Sequence, residues 1–255
     1  MDLEYIKSWV KKEYKIDLTA YKEVQLHRRL NNFISRVGAK NERDFIDILS
    51  RDKELKQKFK DFITINVTEF FRNPEIFKEF EKIIKTEVGS KNNELKIWSA
   101  ACSIGAEPYS VAMLLNEINP RLRHKIIATD IDETILDRAK EGIFTLAELK
   151  NIPNNYIAKY FNKVNDKYVI SNEIKRYVAF KKHDLILDSY EKNFDSIICR
   201  NVVIYFNNDI KNQMYSKFSE SLKPGGTLFV GATESIYNYR DYGFEKASTF
   251  IYKKI

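Results

Sequence analysis

Glycine, proline and cysteine are scarce in this chain of 255 residues, which has 8 Gly, 5 Pro and 2 Cys. So few glycines and prolines exclude a collagen-like chain and a Pro/Gly-rich disordered chain. Cys102 and Cys199 both lie in apolar runs, and two thiols are too few for a disulfide framework or a four-cysteine zinc site. The three histidines show no metal-ligand spacing, so we expect no metal.

Long hydrophobic runs are also missing. Apolar stretches such as residues 111–115 fall far short of the ~18 residues that a transmembrane helix needs, so we expect no membrane insertion. The first residues are acidic and are soon followed by lysines, without the apolar segment and cleavage site of a signal peptide. The sequence therefore predicts a cytoplasmic protein.

Charge, by contrast, is plentiful. Charged residues make up 31% of the chain, and 43 Lys and Arg against 36 Asp and Glu give a formal net charge of +7. This excess favours an acidic partner. It does not choose among nucleic acid, an acidic protein surface and an anionic membrane.

Residues 1–65 contain one glycine, Gly38, and no proline, and their apolar residues recur at helical spacing, which predicts an all-helical N-terminal domain. One stripe marks an amphipathic helix that should end at Gly38, and it consists of Leu26, Leu30, Phe33, Ile34 and Val37. Arg28, Arg29 and Arg36 lie off this stripe. They could form a solvated helix face or a docking surface, and the pattern leaves both interpretations open.

After Asn73-Pro74 a helix is predicted to about Val88, and short β-rich runs then alternate with helical segments, which indicates βαβ units and a parallel sheet. The predicted strands are residues 95–101, 125–130, 178–182, 194–199, 226–231 and 250–253, and the predicted helices are residues 108–119, 133–140 and 208–222. A polar segment interrupts this alternation between Ile152 and Phe180. Its two β-like runs, residues 167–170 and 176–179, predict an inserted β hairpin.

Ligands of open parallel sheets bind at the carboxyl ends of the strands, so the residues that follow each strand matter most. The first strand is followed by a loop of small residues with a single glycine, Gly105, whose backbone could approach a ligand closely. This is not the GxGxxG pattern that seats a pyrophosphate. The second strand ends at Asp130, and an acid at that place commonly accepts hydrogen bonds from ribose hydroxyls. The pair suggests an adenosine-type ligand, although Gly105 could be only a turn and Asp130 or Asp132 only a helix cap.

A third signal is the loop Leu222-Lys223-Pro224-Gly225-Gly226, which precedes the fifth predicted strand. Together with the single-glycine loop and the acid that ends strand two, it resembles a Rossmann-like methyltransferase that uses S-adenosylmethionine. The implied fold is an α/β Rossmann-like methyltransferase sheet, with the helical N-terminal domain and the inserted hairpin added to it.

Longer motifs narrow this resemblance. In content and order the chain resembles the chemotaxis receptor methyltransferases, the CheR family, through the segments NVTEFFR from Asn66, WSAACSIGAEPYS from Trp98, ATDID from Ala128, ICRNVVIYF from Ile198 and LKPGGTLFVGATES from Leu222. The resemblance implies methyl transfer from S-adenosylmethionine to glutamate side chains on the cytoplasmic helical bundle of chemoreceptors. The products would be glutamate methyl esters and S-adenosylhomocysteine.

The same resemblance implies a division into residues 1–65, a receptor-docking domain, and residues 66–255, a methyltransferase domain with a small β subdomain at about 153–180. It also implies site residues. The residues implied for cofactor binding are Asn66, Thr68, Arg72, Glu107, Asp130, Asp184, Leu185, Arg200 and Asn201. Arg72 and Tyr205 are implied to lie near the methyl-transfer site. The residues implied for receptor docking are Arg28, Arg29 and Arg36. Two positions depart from the family pattern. Asp184 stands where many relatives have Asn, and Ile104 stands where Thr is frequent.

Simpler interpretations of three of these residues stay open. Arg72 could merely pair with Glu69 or Glu75, Tyr205 could be a core aromatic, and Glu107 could only favour the N-terminal end of a helix dipole.

Two other functions compete with receptor methylation. A nucleic-acid methyltransferase that modifies base amines usually carries a proline-containing loop after strand four, and CRNVVIYF has none, so we expect no nucleic-acid substrate. A non-catalytic signalling adaptor of the same fold is disfavoured by the intact pocket residues. A peptide tether to the receptor C-terminus is doubtful, because the connection from Phe161 to Ser171 is short and lacks glycine.

Overall fold

The computed structural model describes residues 2–66, 68–91 and 94–255. The chain forms two compact units. The helical unit consists of Met1–Asn66 and Tyr205–Lys211, and the sheet unit consists of Val67–Ile204 and Asn212–Ile255. Within the described ranges no helix is long and apolar enough to cross a membrane.

Four helices build the first 64 residues of the helical unit: α1 (Leu3–Tyr14), α2 (Glu23–Val37), α3 (Glu42–Arg51) and α4 (Lys53–Thr64). Three of them begin at capping side chains, since Asp2, Asn41 and Asp52 each accept a hydrogen bond from a backbone amide of the first turn. Helix α2 ends at Gly38, whose φ of +75° is the left-handed conformation that terminates many helices. The predicted all-helical region and its stop signal are confirmed.

The core of the helical unit is aromatic. The rings of Phe33, Phe45 and Phe59 pack with centroids 5.0 to 6.1 Å apart. The predicted stripe on α2 faces this core, since Leu26 and Leu30 are buried and Phe33 is partly buried.

The sheet unit contains the remaining helices, α5 (Pro74–Lys91), α6 (Ala106–Ile118), α7 (Glu133–Glu141), α8 (Asn154–Tyr160) and α9 (Asn172–Lys175), and most of α10 (Asn208–Ser221). Its strands are β1 (Lys96–Ala100), β2 (Lys125–Asp130), β3 (Ile143–Thr145), β4 (Phe161–Val164), β5 (Lys167–Ile170), β6 (Val178–Lys182), β7 (Phe194–Cys199), β8 (Leu222–Val230), β9 (Phe244–Ser248) and β10 (Ile251–Lys254).

Seven strands form one sheet in the order β6-β2-β1-β7-β8-β10-β9. The strands from β6 to β8 are parallel, whereas β10 runs antiparallel to both of its neighbours. The chain moves from β1 outward to β2 and β6, and then returns to β7 on the other side of β1. Strand order therefore reverses between β1 and β7, where Ala100 is level with Cys199. Ligands of open parallel sheets bind at such a reversal.

Both faces of the sheet are covered. On one face the fully buried Ile97, Ile126 and Phe229 belong to the same core as Phe80 of α5 and Leu115 of α6. On the other face the Trp98 ring stacks on Phe194 at 5.5 Å and meets Phe218 of α10 at 5.6 Å. This packing explains why the strands read as apolar runs in the sequence.

The inserted hairpin exists but lies earlier in the chain than predicted. Strand β5 pairs with β4 and with β3, forming a separate three-stranded sheet. The assignment of residues 176–179 to the hairpin was wrong, because β6, which begins at Val178, pairs in parallel with β2 in the large sheet. The one-turn helix α9 separates the two strands, so Ser171-Asn172 makes no hairpin turn. The real turn is at Asn165, whose φ is +54°.

The other end of the large sheet also differs from the prediction. Strand β9 was not predicted. The strand that carries LKPGG begins at Leu222, four residues before the predicted start, and its pairing with β7 shifts register between Phe194 and Ser196. The Pro-Gly-Gly segment is thus an irregular start of the strand.

Candidate active site

The loop after β1 is wound tightly. Ala101, Ser103 and Gly105 all have positive φ, at 60°, 51° and 85°. A Cβ on Gly105 would lie 3.1 to 3.2 Å from side-chain atoms of Tyr109, Ala139 and Phe180. Glycine is therefore required here by backbone conformation and by core packing. A side chain at this position would point into the core, where these three side chains already lie.

Asp130, at the end of β2, holds two loops together. One carboxylate oxygen accepts from the Ser103 amide at 2.9 Å, and the other accepts from the Asp132 amide at 3.1 Å. The residue is 7% exposed, and burial raises the pKa of its carboxyl to about 6 although these amides oppose the rise. The next acid, Asp132, accepts from the Thr134 amide at 3.0 Å and caps α7, as one interpretation of the sequence predicted.

Glu107 and Arg200 form a buried pair beneath the ends of β1 and β7. Their closest oxygen and nitrogen are 3.6 Å apart, and Ser99 donates to the Glu107 carboxylate at 2.8 Å. Burial raises the pKa of Glu107, and the Arg200 charge opposes that rise. Burial lowers the pKa of Arg200, but a guanidinium stays charged at neutral pH. Glu107 thus does more than favour a helix dipole.

Arg200 also fixes the segment that precedes α5. Its Nη2 donates to the Arg72 carbonyl at 2.8 Å and to the Asn73 side chain at 3.0 Å. Its guanidinium lies over the Phe229 ring, 4.6 Å from the centroid. These hydrogen bonds connect the end of β7 to the segment of residues 66–73, which contains residues that the family resemblance implies for cofactor binding.

Arg72 and Thr68 are half-buried, and Val67 lies outside the described residues. Glu69 accepts hydrogen bonds from Lys150 at 2.6 Å and from Asn151 at 3.0 Å, and these bonds together with the positive charge of Arg72 lower the pKa of its carboxyl. The Arg72 charge also acts on Glu107 and Arg200. Asn66 is half-buried at the end of the helical unit's first segment.

Asp184 and Leu185 follow β6. The Asp184 carboxylate accepts from the amides of Ile186 at 2.8 Å and Leu187 at 3.2 Å, which makes a tight turn, and Leu185 is buried. The His183 amide donates to the Asp130 carbonyl at 3.0 Å, so this turn adjoins the end of β2. One carboxylate oxygen of Asp184 therefore already accepts both hydrogen bonds within this turn.

A buried glutamate that the sequence analysis missed organises the loop after β7. Glu234 is 5% exposed and accepts from the amides of Asn201 at 2.6 Å, Gly231 at 2.9 Å and Ile204 at 3.2 Å. Asn201 has a φ of +62°. A side chain at Gly231 would clash with the Glu234 carboxylate. The sequence did offer one sign of Glu234, namely an acidic residue shortly after β8, at the carboxyl edge of the sheet where ligands bind.

Several buried polar atoms at this edge have no protein partner. They are the Ser103 hydroxyl, the Arg200 Nε and the Asn201 side-chain oxygen. A buried polar atom without a hydrogen bond costs ~1 to 3 kcal/mol, so a polar ligand at this edge would be stabilised by satisfying them. The carboxylates of Glu107 and Asp130 suit a ligand that carries hydroxyl donors and positive charge. S-adenosylmethionine has both, and the residues present fit it.

Tyr205 belongs to the helical unit. Its carbonyl accepts from the Lys22 amide at 2.9 Å, and its ring lies near the guanidinium of Arg29. The three arginines predicted to dock the receptor differ in their surroundings. Arg28 and Arg36 are exposed on α2, whereas Arg29 is half-buried and donates to the Phe62 carbonyl.

Two family models match this chain. One is described as "CheR methyltransferase, SAM binding domain" and matches residues 66–251, and the other is described as "CheR methyltransferase, all-alpha domain" and matches residues 1–64. The chain belongs to the CheR methyltransferase family. It is an S-adenosylmethionine-dependent methyltransferase, and the fold class and the resemblance seen in its motifs are confirmed.

Similar proteins of this family occur in distant bacteria. A chemotaxis protein methyltransferase of Listeria innocua is 39% identical over 254 residues, covering 99% of this chain and 97% of that protein. The corresponding protein of Borreliella burgdorferi is 34% identical, covering 93% and 89%. That of Salmonella typhimurium is 31% identical, covering 88% and 80%. This CheR protein therefore matches these three relatives over 80% to 97% of their length, and it functions in methylation for chemotaxis.

The chain also resembles two solved structures at low sequence identity. A glycopeptide N-methyltransferase, MtfA, in complex with S-adenosylmethionine is 11% identical with a TM-score of 0.37, covering 58% of this chain and 48% of that chain. A protein from Pyrococcus horikoshii is 18% identical with a TM-score of 0.36, covering 64% and 60%. Scores this low do not bear on function.

Proposed function

We propose that this enzyme transfers the methyl group of S-adenosylmethionine to glutamate side chains in the cytoplasmic helical bundle of chemoreceptors, forming glutamate methyl esters. The observation that carries the proposal is the cluster of Asp130, Glu107, Arg200 and Asn201 at the strand-order reversal of a sheet whose chain belongs to the CheR family. A cytoplasmic location stays a prediction.

The cofactor is proposed to lie along the carboxyl ends of β6, β2, β1 and β7. Asp130 accepts from the ribose hydroxyls, and Asp184 and Leu185 contact the adenine side. The remaining polar side chains of the pocket bind the rest of the cofactor, and they are Asn66, Thr68, Arg72, Glu107, Arg200 and Asn201. When bound, S-adenosylmethionine supplies an electrophilic methyl group on a positively charged sulfur. Nearby carboxylates stabilise this positive charge by electrostatic attraction.

The substrate carboxylate needs no general base. A glutamate side chain has a pKa near ~4.3, so the nucleophile is already ionised at neutral pH. The protein's task is to orient one carboxylate oxygen towards the methyl group and to exclude water. Arg72 or Tyr205 orients the other oxygen by one contact, since a bidentate clamp on both oxygens would reduce nucleophilicity.

Receptor docking is proposed for the exposed arginines of α2. Arg28 and Arg36 present positive charge to solvent, which suits an acidic helical bundle. A peptide tether stays doubtful, since the hairpin of β4 and β5 has only Asn165 and Asp166 between its strands.

The test is methyl transfer from labelled S-adenosylmethionine to receptor-containing membranes, followed by mild alkali. We expect label that is incorporated into the receptor and released by alkali as methanol, because esters hydrolyse under conditions that leave methylated amines intact. Boiled enzyme is the control. Alkali-stable label would contradict the proposal, and cofactor binding by calorimetry without any transfer would favour an adaptor.

A further inference from the structure

Arg29 of α2 packs against the ring of Tyr205. Its guanidinium carbon lies 5.5 Å from the centroid of the Tyr205 ring and 4.8 Å from that of the Phe62 ring. Its Nη2 donates to the Phe62 carbonyl, in the last turn of α4, where helix carbonyls lack partners within the helix. A single guanidinium therefore links α2, α4 and the tyrosine.

The backbone around Tyr205 is fixed independently of Arg29. The Lys22 amide donates to the Tyr205 carbonyl at 2.9 Å, and the Asn207 amide donates to the Ala20 carbonyl at 2.9 Å. Tyr21 and Phe206 form an antiparallel bridge, with their rings 5.2 Å apart. Because these contacts hold the main chain, the contact with Arg29 acts mainly on the side chain of Tyr205.

Arg29 differs from the other arginines of its helix. Arg28 and Arg36 are exposed, whereas Arg29 is half-buried, and burial lowers its pKa while the neighbouring Tyr205 and Tyr21 oppose that shift. A guanidinium that already serves two rings and a carbonyl is poorly placed to bind an incoming receptor.

We propose that Arg29 is a positioning residue that orients Tyr205 for methyl transfer, and that it is not part of the receptor-docking surface. This inference depends on the proposed function, in which Tyr205 contacts the substrate carboxylate.

Kinetics separate positioning from docking. In Arg29→Ala we expect the single-turnover rate at saturating receptor and cofactor to fall about tenfold, the scale of a partly buried cation–π contact. The KM values for receptor and cofactor should stay within about twofold of the wild-type values, because the residue touches neither. Loss of a docking residue would instead raise the receptor KM and weaken its salt dependence.

Two variants serve as controls. Arg29→Lys keeps the charge and the aliphatic stem but loses the planar guanidinium, so it should also lower the single-turnover rate without changing the receptor KM, and it guards against misfolding of the alanine variant. Arg28→Ala, at the exposed neighbour, should give the opposite pattern, a raised receptor KM with the saturated rate retained. Thermal unfolding of each variant checks that the fold is intact.

A double-mutant cycle completes the test. If Arg29 acts through Tyr205, adding Arg29→Ala to Tyr205→Phe should slow the reaction by clearly less than the product of the two single effects. Independent effects, or a change in receptor KM alone, would overturn the inference. Wild-type enzyme is assayed in parallel. Failure of the wild type to form alkali-labile ester would contradict the proposed function itself, whereas normal wild-type activity with docking-type kinetics in Arg29→Ala would refute only the role of Arg29.

Discussion

Asp130 is the residue whose ionisation should control cofactor binding. Its carboxyl has a pKa raised to about 6, and ribose hydroxyls can donate to it fully only when it is ionised. We therefore expect the affinity for S-adenosylmethionine to rise between about pH 5 and pH 7 and to level off above, because the raised pKa keeps the carboxyl protonated on the acid side.

Calorimetry of Asp130→Ala checks this assignment. At pH 8 the variant should stay folded and bind the cofactor ~1.5 to 3 kcal/mol more weakly, the range for hydrogen bonds to a charged group. Its remaining affinity should no longer show the midpoint near pH 6. Glu107→Gln is the control that should keep this midpoint. Unchanged affinity in Asp130→Ala would remove the residue from the site.

Glu234 is the second residue with a testable role. In Glu234→Gln an NH₂ group replaces one of the oxygens that accept from the amides of Asn201, Gly231 and Ile204, so a donor then faces a donor. We expect a loss of ~1 to 3 kcal/mol in the free energy of unfolding, measured by denaturant, and weaker cofactor binding. Glu220→Gln, at an exposed position of α10, should change neither. Equal behaviour of the two variants would show that the loop does not depend on Glu234.

Its position at the end of a predicted strand marked Asp130 as a candidate site residue from the sequence alone. Glu107 and Arg200 were implied by the family resemblance. Glu234 was missed because two of the backbone amides that donate to it, those of Asn201 and Ile204, lie 33 and 30 positions away along the chain, and a sequence pattern does not reveal such partners. The burial of Arg29 was missed for a related reason, since it depends on Phe62 and Tyr205, which are distant in sequence.

At the scale of elements, α2 presents a charged surface. We expect Arg28→Glu combined with Arg36→Glu to remove most of the receptor methylation, because reversed charges repel an acidic bundle, while cofactor affinity stays unchanged. A weaker dependence of the residual activity on salt should accompany the loss. The measurement is receptor methylation across a range of salt concentrations, with calorimetry for the cofactor.

The matched control reverses the same number of charges elsewhere. Lys12 on α1 and Lys53 on α4 are exposed, so Lys12→Glu with Lys53→Glu makes the same change in net charge. If this control loses as much methylation, overall charge rather than α2 would be responsible. Parallel loss of cofactor binding in the α2 variant would indicate misfolding.

Elements with strong local patterns were predicted, whereas the pairing of the strands in the inserted segment was not. Helix α2 has an apolar stripe and Gly38, and the parallel strands are short apolar runs, so their positions could be predicted from the sequence. Strand β9 is mostly exposed and was not predicted. Strands β5 and β6 coincide with the predicted runs 167–170 and 178–182, but only the pairing partners reveal that β5 pairs with β4 and that residues 178–179 belong to the large sheet alone.

At the scale of the whole molecule, the account assigns different tasks to the two units. The sheet unit presents Asp130, Glu107, Arg200 and Asn201 at one edge, which suits cofactor binding. The helical unit carries the exposed arginines together with Tyr205. The net charge of +7 agrees with an acidic receptor as partner. No residue in this scheme removes a proton from the substrate, because the glutamate is already ionised.

The pH dependence of the single-turnover rate, at saturating cofactor and receptor, tests this central claim most directly. We expect a nearly flat rate from about pH 6 to pH 9, since the transfer needs no residue of the enzyme to gain or lose a proton, and a fall below about pH 5 as the substrate glutamate is protonated. Tyr205→Phe should lower the rate without adding or shifting a pKa. A rate that rises with a midpoint near pH 7, and loses that rise when one side chain is replaced, would reveal a general base and contradict the account.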